Sequence, residues 1–153
     1  PDFIDKVLKL MDKYDISPSE IELEITESIL IEDFTEITEK LVLLRDIGVK
    51  ISLDDFGTGY SSLSYLKGLP IDTLKIDKSF IDTVITDENT RIITESIIYM
   101  VKKLGFETIA EGVETEEQFR YLNEIDCDNI QGYFLGKPMP SEKIENLLAD
   151  MTA

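Results

Sequence analysis

Two adjacent aspartates, Asp54 and Asp55, close a run in which Val49, Ile51 and Leu53 alternate with Lys50 and Ser52. A loop of small residues follows, from Phe56-Gly57-Thr58-Gly59 to Ser61-Ser62. Alone, an Asp-Asp pair before glycine is commonly a plain turn. Its weight depends on whether other carboxylates recur at equivalent places, and they do. Glu24 and Glu27, Lys75 and Asp77, Glu111 and Glu114, and finally Gln131 each stand at or near the end of a β-prone run. A structural sheet has no need of this, because buried carboxylates are costly unless paired or bound to metal. Carboxylate ligands, a lysine to orient or activate a water and a glutamine as polar contact fit metal-assisted phosphodiester hydrolysis.

Taken singly, each position has a plainer reading. Glu24 fits a solvated strand residue, and Lys75 with Asp77 fits an ion pair on one strand face. Glu111 and Glu114 fit the acidic first turn of a helix. The loop Gly57-Thr58-Gly59 lacks the third glycine of a dinucleotide fingerprint. The coincidence at five strand ends is what points to chemistry.

Composition narrows that chemistry. With 153 residues, 42% hydrophobic and 31% charged, the chain is long enough for one domain with its own core. A net charge of −17 argues against a basic surface for nucleic acid or anionic membrane. A phosphate ligand would need cations to offset the carboxylates, most simply divalent ions. There is no histidine, and Cys127 is the single cysteine. That removes Ser/His/Asp triads, Cys/His dyads and the usual zinc sites, and leaves an oxygen-ligated metal such as Mg²⁺, Mn²⁺ or Ca²⁺. One thiol and the absence of a signal peptide or membrane-length apolar run fit a cytoplasmic location. A chain that opens on Pro1 is expected to be part of something longer.

Alternating elements must position these residues. Phe3, Val7, Leu8 and Met11 have helical spacing, and Ile21, Leu23 and Ile25 have the two-residue period of a strand. A helix on Phe34, Ile37, Leu41 and Leu44 ends at Gly48, before the strand Val49 to Leu53. Leu63 and Leu66 mark a short helix, and Thr73 to Asp77 is the next strand. Asp87 to Leu104 predicts a long helix stopped by Gly105, followed by a strand from Thr108 to Gly112. Thr115 with Gln118 has the form of a capping box, and Phe119, Leu122 and Ile125 give that helix its buried stripe. Asn129 to Leu135 predicts a fifth strand, and Ser141 opens a last helix. Five strand–helix alternations imply a parallel sheet in an α/β fold, either doubly wound or part of an eight-stranded barrel. A whole barrel needs about 250 residues, so this chain is too short for one.

With these residues assembled, the chain resembles the EAL domain family, phosphodiesterases that linearise the bacterial messenger cyclic di-GMP. The matching segments are Leu23-Glu24-Ile25-Thr26-Glu27-Ser28, Asp54-Asp55-Phe56-Gly57-Thr58-Gly59-Tyr60-Ser61-Ser62-Leu63 and Leu74-Lys75-Ile76-Asp77. Ala110-Glu111-Gly112-Val113-Glu114-Thr115, Gln131-Gly132-Tyr133-Phe134-Leu135 and Lys137-Pro138-Met139-Pro140 complete them in order. The resemblance covers essentially all of residues 1–153 and implies a modified (β/α)₈ TIM-type barrel, with about five of its eight βα units present. The Glu-Ala-Leu signature and the Asn-containing motif of the following strand do not occur in the chain. Residues 1–153 are therefore expected to be the C-terminal portion of one such domain.

The resemblance also implies roles. Glu24 and Asp54 would bind one divalent cation, Mg²⁺ or Mn²⁺, and Asp54 would bridge to a second held also by Asp55 and Glu111. Lys75 would contact the attacking water and Gln131 the substrate or its waters. Glu27 would brace the loop after Asp55, and Glu114 would support substrate binding. Two direct ligands to the metal lie in the absent motifs, so the isolated fragment is expected to be inactive. The intact domain is expected to take cyclic di-GMP, to pair as a homodimer, and to stand beside sensory or GGDEF-type domains, with a parent that can be membrane-anchored. It is not expected to bind a nucleic acid polymer. The alternatives are a non-catalytic cyclic di-GMP receptor or scaffold and, further off, an unrelated metal-dependent barrel enzyme.

Overall fold

The computed structural model describes residues 3–32, 34–57 and 66–151. Five strands form one sheet in the order β1-β2-β3-β4-β5. They are β1 Glu22–Thr26, β2 Lys50–Phe56, β3 Thr73–Ile76, β4 Glu107–Ala110 and β5 Asn129–Ile130. Every neighbouring pair is parallel. Each strand is laid beside its predecessor in the same sense. Right-handed crossovers, the rule between parallel strands, carry connecting helices of such a sheet to one face. A doubly wound sheet reverses its strand order partway, and this one does not. The sheet is an arc of a barrel.

Register sorts the side chains into two faces, because paired residues on parallel strands point the same way. Ile25, Leu53, Leu74 and Thr108 share one row, and Phe56, Ile76, Ala110 and Ile130 share the next. This apolar face packs against Leu41 and Leu44 from helix α3 (Phe34–Asp46) and Ile98 and Val101 from α5 (Glu88–Leu104). Leu122 of α6 (Glu116–Glu124) and Ile81 of α4 (Lys78–Thr83) complete it. Each such side chain contributes about 1.5–3 kcal/mol when fully buried. The opposite face carries Glu24, Ser52 and Thr73 in one row, with Asp54 and Lys75 two residues further along their strands. The sequence alternation therefore separates a core from a polar barrel interior.

The helix ends follow their local chemistry. Gly48 (φ 101°) and Gly105 (φ 84°) end α3 and α5 in left-handed geometry. Asp87 caps α5 by accepting the backbone N–H of Thr90 at 3.0 Å. The Thr115–Gln118 capping box opens α6 as expected. Helix α1 (Phe3–Tyr14) packs through Met11, and α7 (Ser141–Met151) is exposed over its described side chains. Among the described residues no helix is long and apolar enough to cross a membrane.

Several expectations are corrected. The fifth strand ends at Ile130 rather than Leu135. Gly132 packs so close to the backbone of Val113 that the chain turns there, with Leu135 and Gly136 donating back to Gly132 O at 3.1 and 3.2 Å. Two short helices escaped the periodicity, α2 (Glu27–Glu32) and α4, because six residues hold fewer than two turns of pattern. Asp77 directly follows β3 but serves the next helix. It caps α4, accepting the Ser79 N–H at 3.0 Å. Residues Thr58 to Ser62, and Leu63 of the short helix read there, lie outside the described residues.

Candidate active site

Three carboxylates from three strand ends converge on one lysine. Lys75 Nζ donates to Glu24 Oε1 at 2.8 Å and lies 3.2 Å from Asp54 Oδ1 and 2.8 Å from Glu111 Oε1. Lys75 is only 5% exposed. Its neighbours in the sheet explain the meeting. Glu24 pairs with Ser52, two residues before Asp54, while the Glu111 N–H donates to Ile76 O at 3.1 Å and prolongs the β3–β4 ladder past its last strand residue. Burial opposes charge on the Lys75 ammonium, but the hydrogen bonds it donates to Glu111 and Glu24 and the negative field around it outweigh that. The ammonium is held protonated well above the ordinary lysine range.

The adjacency of Asp54 and Asp55 has a backbone cause. Between β2 and β3, Leu53 pairs with Leu74 while Phe56 pairs with Ile76, so three steps on β2 face two on β3. One extra residue is absorbed in a bulge, and Asp55 takes φ 56° to absorb it. Bulges of this kind re-aim side chains beside active sites. Leu53 and Phe56 both serve the apolar core, and both aspartates lie between them. The Asp55 N–H donates to Asp54 Oδ1 at 3.0 Å.

The other site candidates lie around this cluster rather than in it. Glu27 is buried and accepts the Gly57 N–H at 3.3 Å. Glu114 pairs with Lys78 at 2.5 Å. Gln131 lines a cavity of about 380 Å³ with Tyr133, Lys137 and Met139. Two residues to which the sequence reading gave no part in the site hold Glu114 in place. Gln118 is buried, accepts the N–H groups of Glu114 and Thr115 at 2.9 and 3.0 Å, and donates to Ile81 O at 2.9 Å. Lys78 bridges Glu114 and Asp82, which raise its pKa, and packs its stem against Gly112. The capping box announced half of the Gln118 role, but nothing in the spacing marked Lys78.

The donor set is oxygen throughout, and three carboxylates against one ammonium leave the cluster negative. That suits a hard divalent cation. Among the described residues, no three acidic groups already stand around a common cation position. They stand around Lys75 instead.

A barrel arc with carboxylates and a lysine at the carboxyl ends of its strands defines an enzyme-type rim. The chain belongs to the EAL domain family, whose model matches residues 1–138. It is similar to the cyclic di-GMP phosphodiesterase NbdA of Pseudomonas aeruginosa, 40% identical over 145 residues, 95% of this chain and 18% of that protein. The bifunctional diguanylate cyclase/cyclic di-GMP phosphodiesterase MucR of the same organism is 42% identical over 141 residues, 92% of this chain and 21% of MucR. A solved PaMucR phosphodiesterase in complex with c-di-GMP superposes with a TM-score of 0.88 at 42% identity, covering 92% of this chain and 57% of that one. BlrP1 of Klebsiella pneumoniae, solved with manganese and cyclic di-GMP, gives 0.81 at 30% identity, covering 88% and 34%. The chain thus spans about a fifth of the length of these curated relatives.

Proposed function

We propose that residues 1–153 are the C-terminal portion of one EAL domain that hydrolyses cyclic di-GMP to its linear dinucleotide. The convergence of Glu24, Asp54 and Glu111 on Lys75 carries this reading, supported by relatives named as cyclic di-GMP phosphodiesterases. Glu24, Asp54, Asp55 and Glu111 are the residues that would hold Mg²⁺ or Mn²⁺, two ions per intact site. Bound, such ions supply Lewis acidity toward the phosphate and lower the pKa of a water. With such ions bound, Lys75 would offer its ammonium to the attacking water and to developing negative charge on the phosphate oxygens. Gln131, in its cavity at the end of β5, contacts the substrate, and Glu114 supports that side of the rim through Lys78. Glu27 holds the turn that follows Asp55.

The chain lacks the Glu-Ala-Leu and Asn motifs that complete the ligand set, so alone it turns over substrate far more slowly than the intact domain. In its cell the domain works in the cytoplasm as a homodimer, beside sensory or GGDEF-type domains. The test is formation of the linear product from cyclic di-GMP by the longer protein with Mg²⁺ or Mn²⁺. Asp54→Asn and Lys75→Ala should each abolish turnover while cyclic di-GMP binding persists. Binding without turnover in the unaltered protein would make it a receptor instead.

A further inference from the structure

Asp54 and Asp55 belong to β2 and Glu111 follows β4, strands that are not neighbours because β3 lies between them. Each set of carboxylates is closely followed by a glycine in left-handed geometry, Gly57 at φ 99° and Gly112 at φ 73°. Side chains of one short helix, α4, lie across both glycines. A Cβ on Gly57 would come within 2.5 Å of Phe80 Cε2, and one on Gly112 within 2.7 Å of Lys78 Cδ. Lys78 Nζ then reaches Glu114, two residues beyond Gly112, at 2.5 Å. Helix α4 is itself fixed at both ends. Asp77 caps it by accepting the Ser79 N–H at 3.0 Å, Ile81 is fully buried, and Gln118 Nε2 donates to Ile81 O at 2.9 Å.

We infer that α4 is a spacer that fixes the two carboxylate-bearing turns relative to each other, with Phe80 and Lys78 as positioning residues. Because α4 leaves β3 directly, it stands between the turn after β2 and the turn after β4 and touches both. The Phe80 ring seats on one backbone that carries no side chain, and the Lys78 stem seats on the other. The exposed ion pair of Lys78 with Glu114 adds little by itself; the stem across Gly112 is the contact that sets the turn. Groups of a working site have to be held within about 0.5 Å by neighbours whose own rotamers are locked by packing. Asp77, beside Lys75 in the chain, acts on both turns by seating α4. The effect on turnover rests on the proposed phosphodiesterase site, whereas the placement of the two turns does not.

The test reads the carboxylates themselves. The longer protein is ¹³C-labelled at its aspartate and glutamate carboxyl carbons, and the resonances of Asp55 and Glu111 are assigned by their loss in Asp55→Asn and Glu111→Gln. Lys78→Ala should shift Glu111, and Phe80→Leu should shift Asp55. Asp77→Ala unseats α4 and should shift both, whereas Asp77→Asn removes the charge but keeps a capping side chain and should return both towards the parent. Turnover of cyclic di-GMP with Mn²⁺ should follow the same order, with kcat lower on the order of tenfold in Asp77→Ala and close to the parent in Asp77→Asn. Equal shifts in Asp77→Ala and Asp77→Asn, or shifts in Asp77→Ala confined to one turn, overturn the inference. No turnover by the unaltered protein overturns the phosphodiesterase reading instead, and the resonances then decide alone. Should Asp77→Ala fail to fold, Lys78→Ala and Phe80→Leu decide, and unmoved carboxyl resonances in both overturn the inference.

Discussion

Glu27 Oε2 accepts the backbone N–H of Gly57 at 3.3 Å, tying the start of α2 to the residue that follows β2. Thirty residues apart in sequence, the two meet because β1 and β2 are paired neighbours whose ends lie side by side. Glu27 is 7% exposed, and its second oxygen, Oε1, has no hydrogen-bond partner. Glu27→Ala should lower stability by about 1–3 kcal/mol, the cost of leaving a polar group unsatisfied in a part-buried place. Glu27→Gln keeps an acceptor for Gly57 and should cost less, as read from urea denaturation midpoints. A larger loss in Glu27→Gln would show that the charge, not the hydrogen bond, is what the site needs.

Gly57 itself admits no side chain. It has φ +99°, and an added Cβ would come within 2.5 Å of Phe80 Cε2. Gly57→Ala should cost about 1–3 kcal/mol from backbone strain together with displacement of the ring. Adding Phe80→Leu should recover only the part due to the ring, so the double variant stays below the parent in thermal unfolding. Full recovery would mean that the left-handed backbone contributes nothing.

Gly132 is tighter still. A Cβ there would lie 2.1 Å from Val113 O and 2.3 Å from Val113 N, both backbone atoms that cannot rotate away. Gly132→Ala should cost about 3 kcal/mol or more, among the larger single-site effects. Gly136→Ala, with nothing within 4 Å, should stay within about 0.5 kcal/mol. Comparing the two by denaturant unfolding separates close packing at the end of β5 from general loop preference.

Stability should also fall in acid through Asp128. Burial works to raise its carboxyl pKa. The hydrogen bonds from Thr108 Oγ1 at 2.7 Å and Thr108 N at 2.9 Å, with Lys102 beside it, win and hold it below its ordinary value. A carboxyl depressed on folding contributes stability above its unfolded value of 3.8 and loses it as pH falls through the lower folded value. Asp128→Asn should therefore flatten the acid limb of the stability–pH curve. An identical acid limb in the variant would assign that limb to other carboxyls.

Much of the fold was legible because its pattern is long. Alternation at Ile21–Ile25 and Val49–Leu53, and helical spacing over Phe34–Leu44 and Asp87–Leu104, repeat over enough residues to name their elements. Gly48 and Gly105 marked helix ends because left-handed backbone favours glycine there. The pieces that escaped are short or depend on distant partners. Helices α2 and α4 have six residues each, and the end of β5 depends on the backbone of Val113 across the turn. Asp77 counted among the strand-end charges because it stands beside Lys75, yet it accepts from the start of the next helix.

The sequence by itself determined which residues carry charge to the strand ends, since every chemical type in Glu24, Asp54, Asp55, Lys75 and Glu111 stands in the chain in order. It also determined that a metal here must be bound by oxygen, because no histidine and one buried cysteine are present. Only the tertiary structure decided that the sheet is a barrel arc, because strand order is a relation between segments that no local pattern states. Only it showed that a bulge at Asp54-Asp55 lets both aspartates stand between two core residues. And only it placed the buried ammonium of Lys75 among three carboxylates, because the low cost of that charge depends on partners that lie up to 51 residues away in sequence and meet through strand pairing.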